Sequence, residues 1–446
     1  MSLELTNDRE FLEVVPPLTA REAEEEAMRC YYCYDAPCVQ ACPTGIDIPS
    51  FINHIATGDL KASARTIMDA NILGATCARI CPTEALCEGS CVRVRDSRPV
   101  SIGRLQRVAM DDAMANGIPD LPPSAVKGSG RIAVVGAGPA GLSAAAQLAR
   151  MGHAVEVYEQ KEEGGGLDTY GIVSYREPLS VSLFEVGVVR QLGVQFHFGW
   201  TVRDAGDIQN LRHKYDAVVI AVGMGKVPPL TIPGEHLEGV YDALDLVEDT
   251  KTRPLADVRM GRRVVVIGAG NTAVDAATCA KRLGADEVTI LYRRDEAAMS
   301  AYRYEYEFAK QDGVTYRWWT APVAIVGADR VEGVRCVRTQ METGGPSSRK
   351  AKLAVAPGSE FTLPADTVVR AIGQETHTGV WEALGAKTQG GKVLINEETY
   401  ETSVDGVYAA GDCLVRSGDA TVVRAVEDGK RAARAINERL ARRVAH

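Results

Sequence analysis

The spacing of apolar and polar positions changes character along the chain. From residue 1 to about 124 there is no strand-like alternation. Apolar residues recur at helical spacing through Ile52–Met68 and again through Leu105–Met114, and Ala20–Met28 is acidic and Ala-rich. This predicts an all-helical N-terminal part. A Pro/Gly/Ser stretch from Leu121 to Gly130 predicts a linker. Beyond it, short β-branched runs alternate with Ala/Leu-rich helical stretches, the pattern of an α/β fold. Arg131 to Gln160 reads strand, glycine turn, helix, strand, and Arg262 to Glu296 repeats that order. Asp216–Gly223 and Asp366–Gln374 are further strand runs with glycine near their ends. The final stretch reads strand, Gly411-Asp412, loop, and a helix beginning near Thr421.

Composition narrows the picture. The 446 residues are 46% hydrophobic and 24% charged, ordinary for a globular chain and enough for two or three domains. A formal net charge of −9 argues against sequence-independent binding to nucleic acid or an anionic membrane. The arginines of the last residues read as the wet face of a terminal helix. No apolar run approaches the ~20 residues that span a bilayer, and MSLELTNDREFLEVV lacks the basic-then-apolar order of a signal peptide. The expectation is a cytoplasmic protein, in which clustered thiols are not a disulfide framework.

The two repeated units carry glycine fingerprints. Gly136-Ala137-Gly138-Pro139-Ala140-Gly141 follows the first strand and opens the helix. Its glycines allow a tight turn and close backbone approach, and the helix N-terminus offers N–H groups to a pyrophosphate. Glu159, about 20 residues on, is placed to accept from ribose hydroxyls. The second unit has Gly268-x-Gly270-x-x-Ala273, and its second strand leads into Arg293-Arg294 instead of an acid. Two cations suit a 2′-phosphate and lean toward NADPH; the plainer reading is a strand end on a solvated face. Asp412 is a candidate for a ribityl hydroxyll's partner, and the helix from Thr421 could aim its positive end at a flavin ring. Flavin-type signals at both 136 and 411 predict two Rossmann-like folds, the second inserted within the first.

Eight of the eleven cysteines fall between Cys30 and Cys91, two of them followed by proline (Cys42-Pro43 and Cys81-Pro82). They are expected on loops and turns between short helices. Structural zinc favours paired C-x2-C elements, and only Cys30-x-x-Cys33 has that spacing. A thioredoxin-like pair would adjoin a βαβ unit, and this region is helical. Bacterial ferredoxin runs close on a Cys-Pro whose thiol serves the other cluster. Cys30, Cys33, Cys38 and Cys42-Pro43 have that layout with wider gaps, and Cys77 to Cys91 offers a second set. The reading is two [4Fe-4S] clusters. Cys279, Cys336 and Cys413 read as buried or incidental thiols.

With these motifs in order, the chain resembles, from about Ala20 to Ile436, the glutamate synthase small subunit and the front half of dihydropyrimidine dehydrogenase. Asp-Ala-Pro-Cys at Asp35–Cys38, Ile46–Ile52 and Pro99–Gln106 resemble the pyrimidine branch, in particular the PreT-type subunit of the bacterial enzyme. The resemblance implies one cluster on Cys30, Cys33, Cys38 and Cys91 and another on Cys42, Cys81, Cys87 and Gln106. Cys77 is then a spare thiol, where spacing alone makes it the eighth ligand. It also implies FAD at Gly136, Ala137, Gly138, Pro139, Ala140, Glu159, Gly166, Leu167, Arg176, Gly411, Asp412 and Thr421. The nicotinamide nucleotide falls to Gly268, Gly270, Asn271, Thr272, Arg293, Arg294, Arg303 and the Ala371–Gly373 turn. A further arginine of the NADPH-using pattern is replaced by Ser300, and PreT-type proteins are NADH-linked, so NADH and NADPH both stay open.

The domains implied are a helical iron–sulfur part (1–124), an FAD part (125–246 and 363–446) and an NAD(P)H part (247–362). The expected activity is hydride transfer from NAD(P)H to FAD and single-electron exit through two clusters. The exit leads to a PreA-like partner subunit with FMN and further [4Fe-4S] clusters that reduces uracil or thymine. An FMN barrel needs about 250 residues, which this chain has already used. The alternatives are a glutamate-synthase-type input subunit, a NADPH:ferredoxin-type reductase, or a zinc-stapled scaffold without activity.

Overall fold

The computed structural model describes residues 9–121, 123, 128–225, 227–342, 351–416, 418 and 420–444. Half of the expected linker, at 122 and 124–127, lies outside the described residues.

The N-terminal part is helical, with no strand among its described residues. Helix α1 (Ala20–Ala27) starts at a capping box: Thr19 accepts from the Glu22 N–H while the Glu22 carboxylate takes the Thr19 N–H. A short α2 (Pro37–Ala41) follows, then α3 (Ile48–Ala56) and α4 (Leu60–Ala70), capped by Asp47 and Asp59. The helically spaced apolar run Ile52–Met68 spans two helices, with Gly58 at φ +80° in the turn between them. Helices α5 (Gly74–Ile80) and α6 (Ile102–Asn116) complete this layer, and α6 stops at Gly117 in a positive-φ conformation.

The chain then builds a parallel sheet. β1 (Arg131–Val135), α7 (Pro139–Arg150) and β2 (Ala154–Tyr158) form the first right-handed unit. They are followed by α8 (Leu167–Tyr170), α9 (Leu179–Gln191), β3 (Gln195–His197), α10 (Ala205–Lys214) and β4 (Ala217–Ile220). The next elements build a second parallel sheet: β5 (Val240–Asp242), α11 (Ala243–Thr252), β6 (Arg263–Ile267), α12 (Asn271–Arg282), β7 (Glu287–Leu291), α13 (Arg303–Gln311) and β8 (Thr315–Arg317). An antiparallel group β9 (Thr320–Val326), β10 (Gly333–Met341), β11 (Leu353–Val355) and β12 (Phe361–Pro364) precedes β13 (Thr367–Arg370). The chain ends with α14 (Thr378–Leu384), the pair β14 (Thr388–Gln389) and β15 (Lys392–Val393), β16 (Val407–Ala409) and α15 (Val422–Val444).

The strand orders are β16-β4-β1-β2-β3 and β5-β13-β6-β7-β8. The first sheet therefore takes its edge strand β16 from beyond the whole of the second. The chain forms two compact units: residues 1–12, 170–175 and 225–375, and residues 13–169, 176–224 and 376–446. In the latter, the cysteine-bearing helices and the first sheet share one core. Phe51, Ile67, Leu105 and Met110 belong to the same apolar cluster as Val134, Leu142, Val157 and Val426. In the former, the core lies between the second sheet and α12, around Val264, Val266, Ala273, Ala277 and Ile290.

Helices α15 and α7 make an extensive, close contact in the larger unit. A Cβ at Gly429 would lie 2.2 Å from the Ala140 carbonyl oxygen and 2.8 Å from the Ala144 nitrogen, backbone atoms that cannot swing aside. Ser143 donates to the Val426 carbonyl at 2.7 Å in the same contact. Gly429→Ala is expected to destabilise this unit by about 1–3 kcal/mol or more through overpacking, read as a lowered urea midpoint; an unchanged midpoint would show that the helices can separate freely.

Candidate functional site

Both sheets build the same turn. Gly136 follows β1 at φ +102°, and a Cβ there would meet the Ala221 carbonyl oxygen at 2.4 Å. Gly268 follows β6 at φ +130°, and its Cβ would meet the Ala371 carbonyl oxygen at 2.1 Å. Only glycine tolerates both the dihedral and the approach. Each turn delivers the chain to a helix whose N-cap is glycine, Gly138 for α7 and Gly270 for α12, with no side chain capping it. The first-turn N–H groups are thus left for a ligand of negative charge.

Around the first turn, Glu159 is buried and its carboxylate accepts from the N–H of Ala137 and of Lys161, both at 2.8 Å. It braces the glycine loop directly. Gly166 packs against Gly138, its Cβ position 2.7 Å from the Gly138 Cα, and Leu167 beyond it is exposed. Gly411, at φ +88°, comes to the same place from the chain's end, its Cβ position 3.0 Å from the Ala140 Cβ. Pro139, Ala140, Gly411 and Asp412 are thereby brought together with Gly136–Gly138. Asp412 accepts from Arg416 at 3.3 Å, Arg176 is half-buried, and Thr421 caps α15 through the Arg424 N–H at 3.4 Å. Asp428, which no motif in the sequence marks, holds this loop: it takes the Gly411 N–H, the Arg416 guanidinium and the Tyr400 hydroxyl.

Around the second turn, Asn271 accepts the Tyr302 N–H at 3.0 Å, beside half-buried Thr272. The Ala371–Gly373 turn lies against Gly268, with Gly373 exposed at φ +106°. The two arginines expected to share a 2′-phosphate do not share a face. Arg293 is exposed, whereas Arg294 is buried and donates to the Ala351 carbonyl at 2.8 Å. Arg303 is exposed but paired with Glu296 and Glu307.

The thiols divide into two neighbourhoods. Burial, with smaller contributions from the nearby thiols of Cys33 and Cys91, raises the Cys30 thiol, and burial with Cys30 and Cys91 raises Cys38. Cys42, Cys77, Cys81, Cys87 and Gln106 all line one small hollow, together with Asn71, Thr83, Ile102 and Val423. Among the described residues no three Cys, His, Asp or Glu side chains converge as they would on a single metal ion; Cys42, Cys77, Cys81 and Cys87 line the hollow instead. Burial pushes the Cys38 thiol up to about 11 and Cys87 higher still. Thiolates here need a positively charged partner such as iron, and the donor set fits a cluster. Cys38 and Cys77 lie on α2 and α5, not on loops as expected, while Cys42 and Cys81 sit at the C-caps of those helices.

Cys77 is fully buried, and its hydrogen bond to Cys81 together with burial holds its thiol well above the usual range. Gln106 is buried on α6 and donates from Nε2 to the Gly74 carbonyl at 2.7 Å. That bond uses the amide nitrogen and orients the group so that Oε1 is the atom left to act as a donor ligand. Cys279, Cys336 and Cys413 are buried, as expected of incidental thiols.

Helix α5 is anchored at its other end by an acidic pair that sequence patterns do not signal. Glu185, on α9, takes the N–H of Ala75 and Thr76 at 2.7 and 3.1 Å. The Thr76 hydroxyl lies 2.6 Å from both the Glu177 and the Glu185 carboxylates. One hydroxyl proton cannot serve both, so a carboxyl proton completes the set, and burial pushes Glu185 up to about 8.

The chain belongs to the pyridine nucleotide-disulphide oxidoreductases, whose family profile matches residues 130–429. A second profile, described as dihydropyrimidine dehydrogenase domain II with a 4Fe-4S cluster, matches residues 7–118. It is therefore an NAD(P)H-dependent oxidoreductase of FAD and 4Fe-4S clusters. It is 35% identical over 445 residues to the glutamate synthase [NADPH] small chain of Halomonas elongata, covering 97% of this chain and 93% of that one. It is 33% identical over 430 residues to the NAD-dependent dihydropyrimidine dehydrogenase subunit PreT of Salmonella typhimurium, covering 96% and 97%. The fold also matches Mycobacterium tuberculosis FprA in complex with NADPH, with a TM-score of 0.58, 22% identity, and 71% of this chain and 86% of that one covered. No helix among the described residues is long and apolar enough to cross a membrane.

The Glu185 geometry sets a pH dependence. Its pKa is raised on folding, so its contribution to stability is greatest below the ordinary value of 4.5 and is lost as the pH rises to about 8. Glu185→Gln removes that loss. Thermal midpoints at pH 5 and pH 8 should shift in the variant's favour at pH 8, by at most a few kcal/mol; a pH-independent difference would mean that Glu185 is ionised in the folded protein.

Proposed function

We propose that the chain is the electron-input subunit of a dihydropyrimidine dehydrogenase of the PreT type. In this reading residues 1–124 carry two [4Fe-4S] clusters, 125–246 and 363–446 hold FAD, and the intervening 247–362 holds NADH or NADPH. The observation that carries it is the single hollow shared by Cys42, Cys77, Cys81, Cys87 and Gln106, into whose wall α15 contributes Val423. The helix that braces the flavin-type loop through Asp428 thus also borders the thiols.

When bound, the cofactors supply hydride transfer and single-electron exit. The chain's own residues hold and orient them. Glu159 fixes the glycine loop and keeps lone pairs for ribose hydroxyls, and the uncapped first turn of α7 meets the pyrophosphate. Gly411 and Asp412 approach the ribityl side, and Gly268, Gly270, Asn271 and Thr272 repeat the cradle for the nicotinamide nucleotide. Arg293 is the cation best exposed to a 2′-phosphate; Arg303, paired with two carboxylates, is less free to serve one.

Cys30, Cys33, Cys38 and Cys91 form the outer set. Their rim exposes Met28, Tyr31, Tyr34 and Val94, residue types that favour a protein interface. A PreA-like subunit bearing FMN and further clusters is the partner proposed, with uracil or thymine reduced there. The identity to glutamate synthase small chains favours a second reading, in which the same electrons serve glutamate formation. NAD(P)H-dependent uracil reduction against glutamine-dependent glutamate formation, each with the candidate partner added, separates the two.

Glu159→Ala is expected to weaken FAD retention about tenfold or more, since it removes an ionised acceptor; undiminished flavin after gel filtration would sink that role. Cys42→Ala should spare NAD(P)H-driven flavin reduction but abolish reduction of a cluster-dependent acceptor, with wild-type rates in the variant overturning the exit route. Iron analysis tests the ligand set. Cys77→Ala should keep the about eight irons of two [4Fe-4S] clusters, and loss of half of them would make Cys77, not Gln106, the eighth ligand.

A further inference from the structure

Three consecutive residues of α15 reach three different parts of the larger unit. Asp428 holds the Gly411 loop, Gly429 lies on the backbone of α7, and Lys430 reaches the cysteine-bearing layer. Lys430 is 6% exposed. Its Nζ donates to the Thr44 carbonyl at 3.0 Å and the Ala70 carbonyl at 2.5 Å, and pairs with the Glu427 carboxylate at 3.3 Å. The two carbonyls accept hydrogen bonds from the ammonium, and Glu427 adds an ion-pair contact to the same nitrogen. Glu427 is shared with Arg434 at 3.8 Å, so this group of three keeps one positive charge.

The location gives that charge its meaning. The Thr44 hydroxyl hydrogen-bonds the Cys42 thiol at 3.3 Å, and Ala70 precedes Asn71, which lines the thiol hollow. Val423, in the same hollow, lies two turns before Lys430 on the same face of α15. A buried ammonium is costly beside an apolar replacement of similar size. Beside a centre built from thiolates it is favourable, and more so once that centre has gained an electron.

We propose that Lys430 is a positioning residue for electron transfer. Its ammonium raises the reduction potential of the centre seated among Cys42, Cys81, Cys87 and Gln106, and leaves that of the centre at Cys30, Cys33, Cys38 and Cys91 unchanged. The inference rests on the ligand sets proposed above. One electron enters the inner centre at a time, no bond to Lys430 forms or breaks, and the residue keeps its proton throughout.

The test is an EPR-monitored redox titration of the full-length, anaerobically purified protein. Lys430→Met is expected to lower one of two midpoint potentials by roughly tenfold in the one-electron equilibrium constant, about 59 mV for n = 1, leaving the other unmoved. Lys430→Arg, which keeps the charge, should restore most of the shift. Equal displacement by both variants would reduce the role to geometry, and no displacement by either would refute it. Should the Met variant lose iron, Lys430→Gln, which keeps donors for both carbonyls, carries the same comparison. A wild-type protein without cluster signals would overturn the ligand sets themselves; two wild-type signals indifferent to Lys430 would overturn this inference alone.

Discussion

The larger unit depends on how closely α15 lies against α7. There is no room for a single methyl group at Gly429, and the helix is fixed in both rotation and height. Because it is fixed, Asp428 meets the Gly411 loop and Lys430 meets the cysteine layer in one register. A rotation that freed Gly429 would move both neighbours off their partners together. The dinucleotide turn, the returning loop and the thiol hollow are thus held by adjacent positions of one helix. Arg150, bonded to Asp69 at 2.5 Å, ties α7 to the same layer.

The two sheets use one steric device twice. In each, a glycine after the first strand presses its backbone on the carbonyl that ends a neighbouring strand, Ala221 in one case and Ala371 in the other. What differs is the charge at the end of the second strand. After β2 comes Glu159, buried and bonded to the turn; after β7 comes Tyr292 at the matching position, and then the exposed Arg293.

Much of this was legible beforehand, and for physical reasons. Glycine turns are set by local sterics, so Gly136, Gly138, Gly268 and Gly270 announce themselves. The break at Gly58 was hidden because apolar spacing continues across it. The burial of Arg294 could not be read from its position after a strand, since it depends on Ala351, which is far along the chain. The same holds for Glu185 with Thr76, for Asp428 with Gly411, and for Lys430 with Thr44. These are long-range polar contacts of buried groups, and no periodicity encodes them. The contest between Cys77 and Gln106 likewise needed the hollow, which both of them line.

The edge strand β16 and helix α15 come after the entire second sheet in chain order. During synthesis Cys42, Cys77, Cys81 and Cys87 emerge before the second sheet, and the wall of their hollow formed by Val423 emerges after it. Until then the thiols stand in a pocket open on one side, without the lysine that later faces them. Long-range closure of this kind is slow compared with local helix formation. Sensitivity to oxidation is accordingly greatest in the unfinished chain, and supply of iron has to be matched to the completion of a fold hundreds of residues downstream.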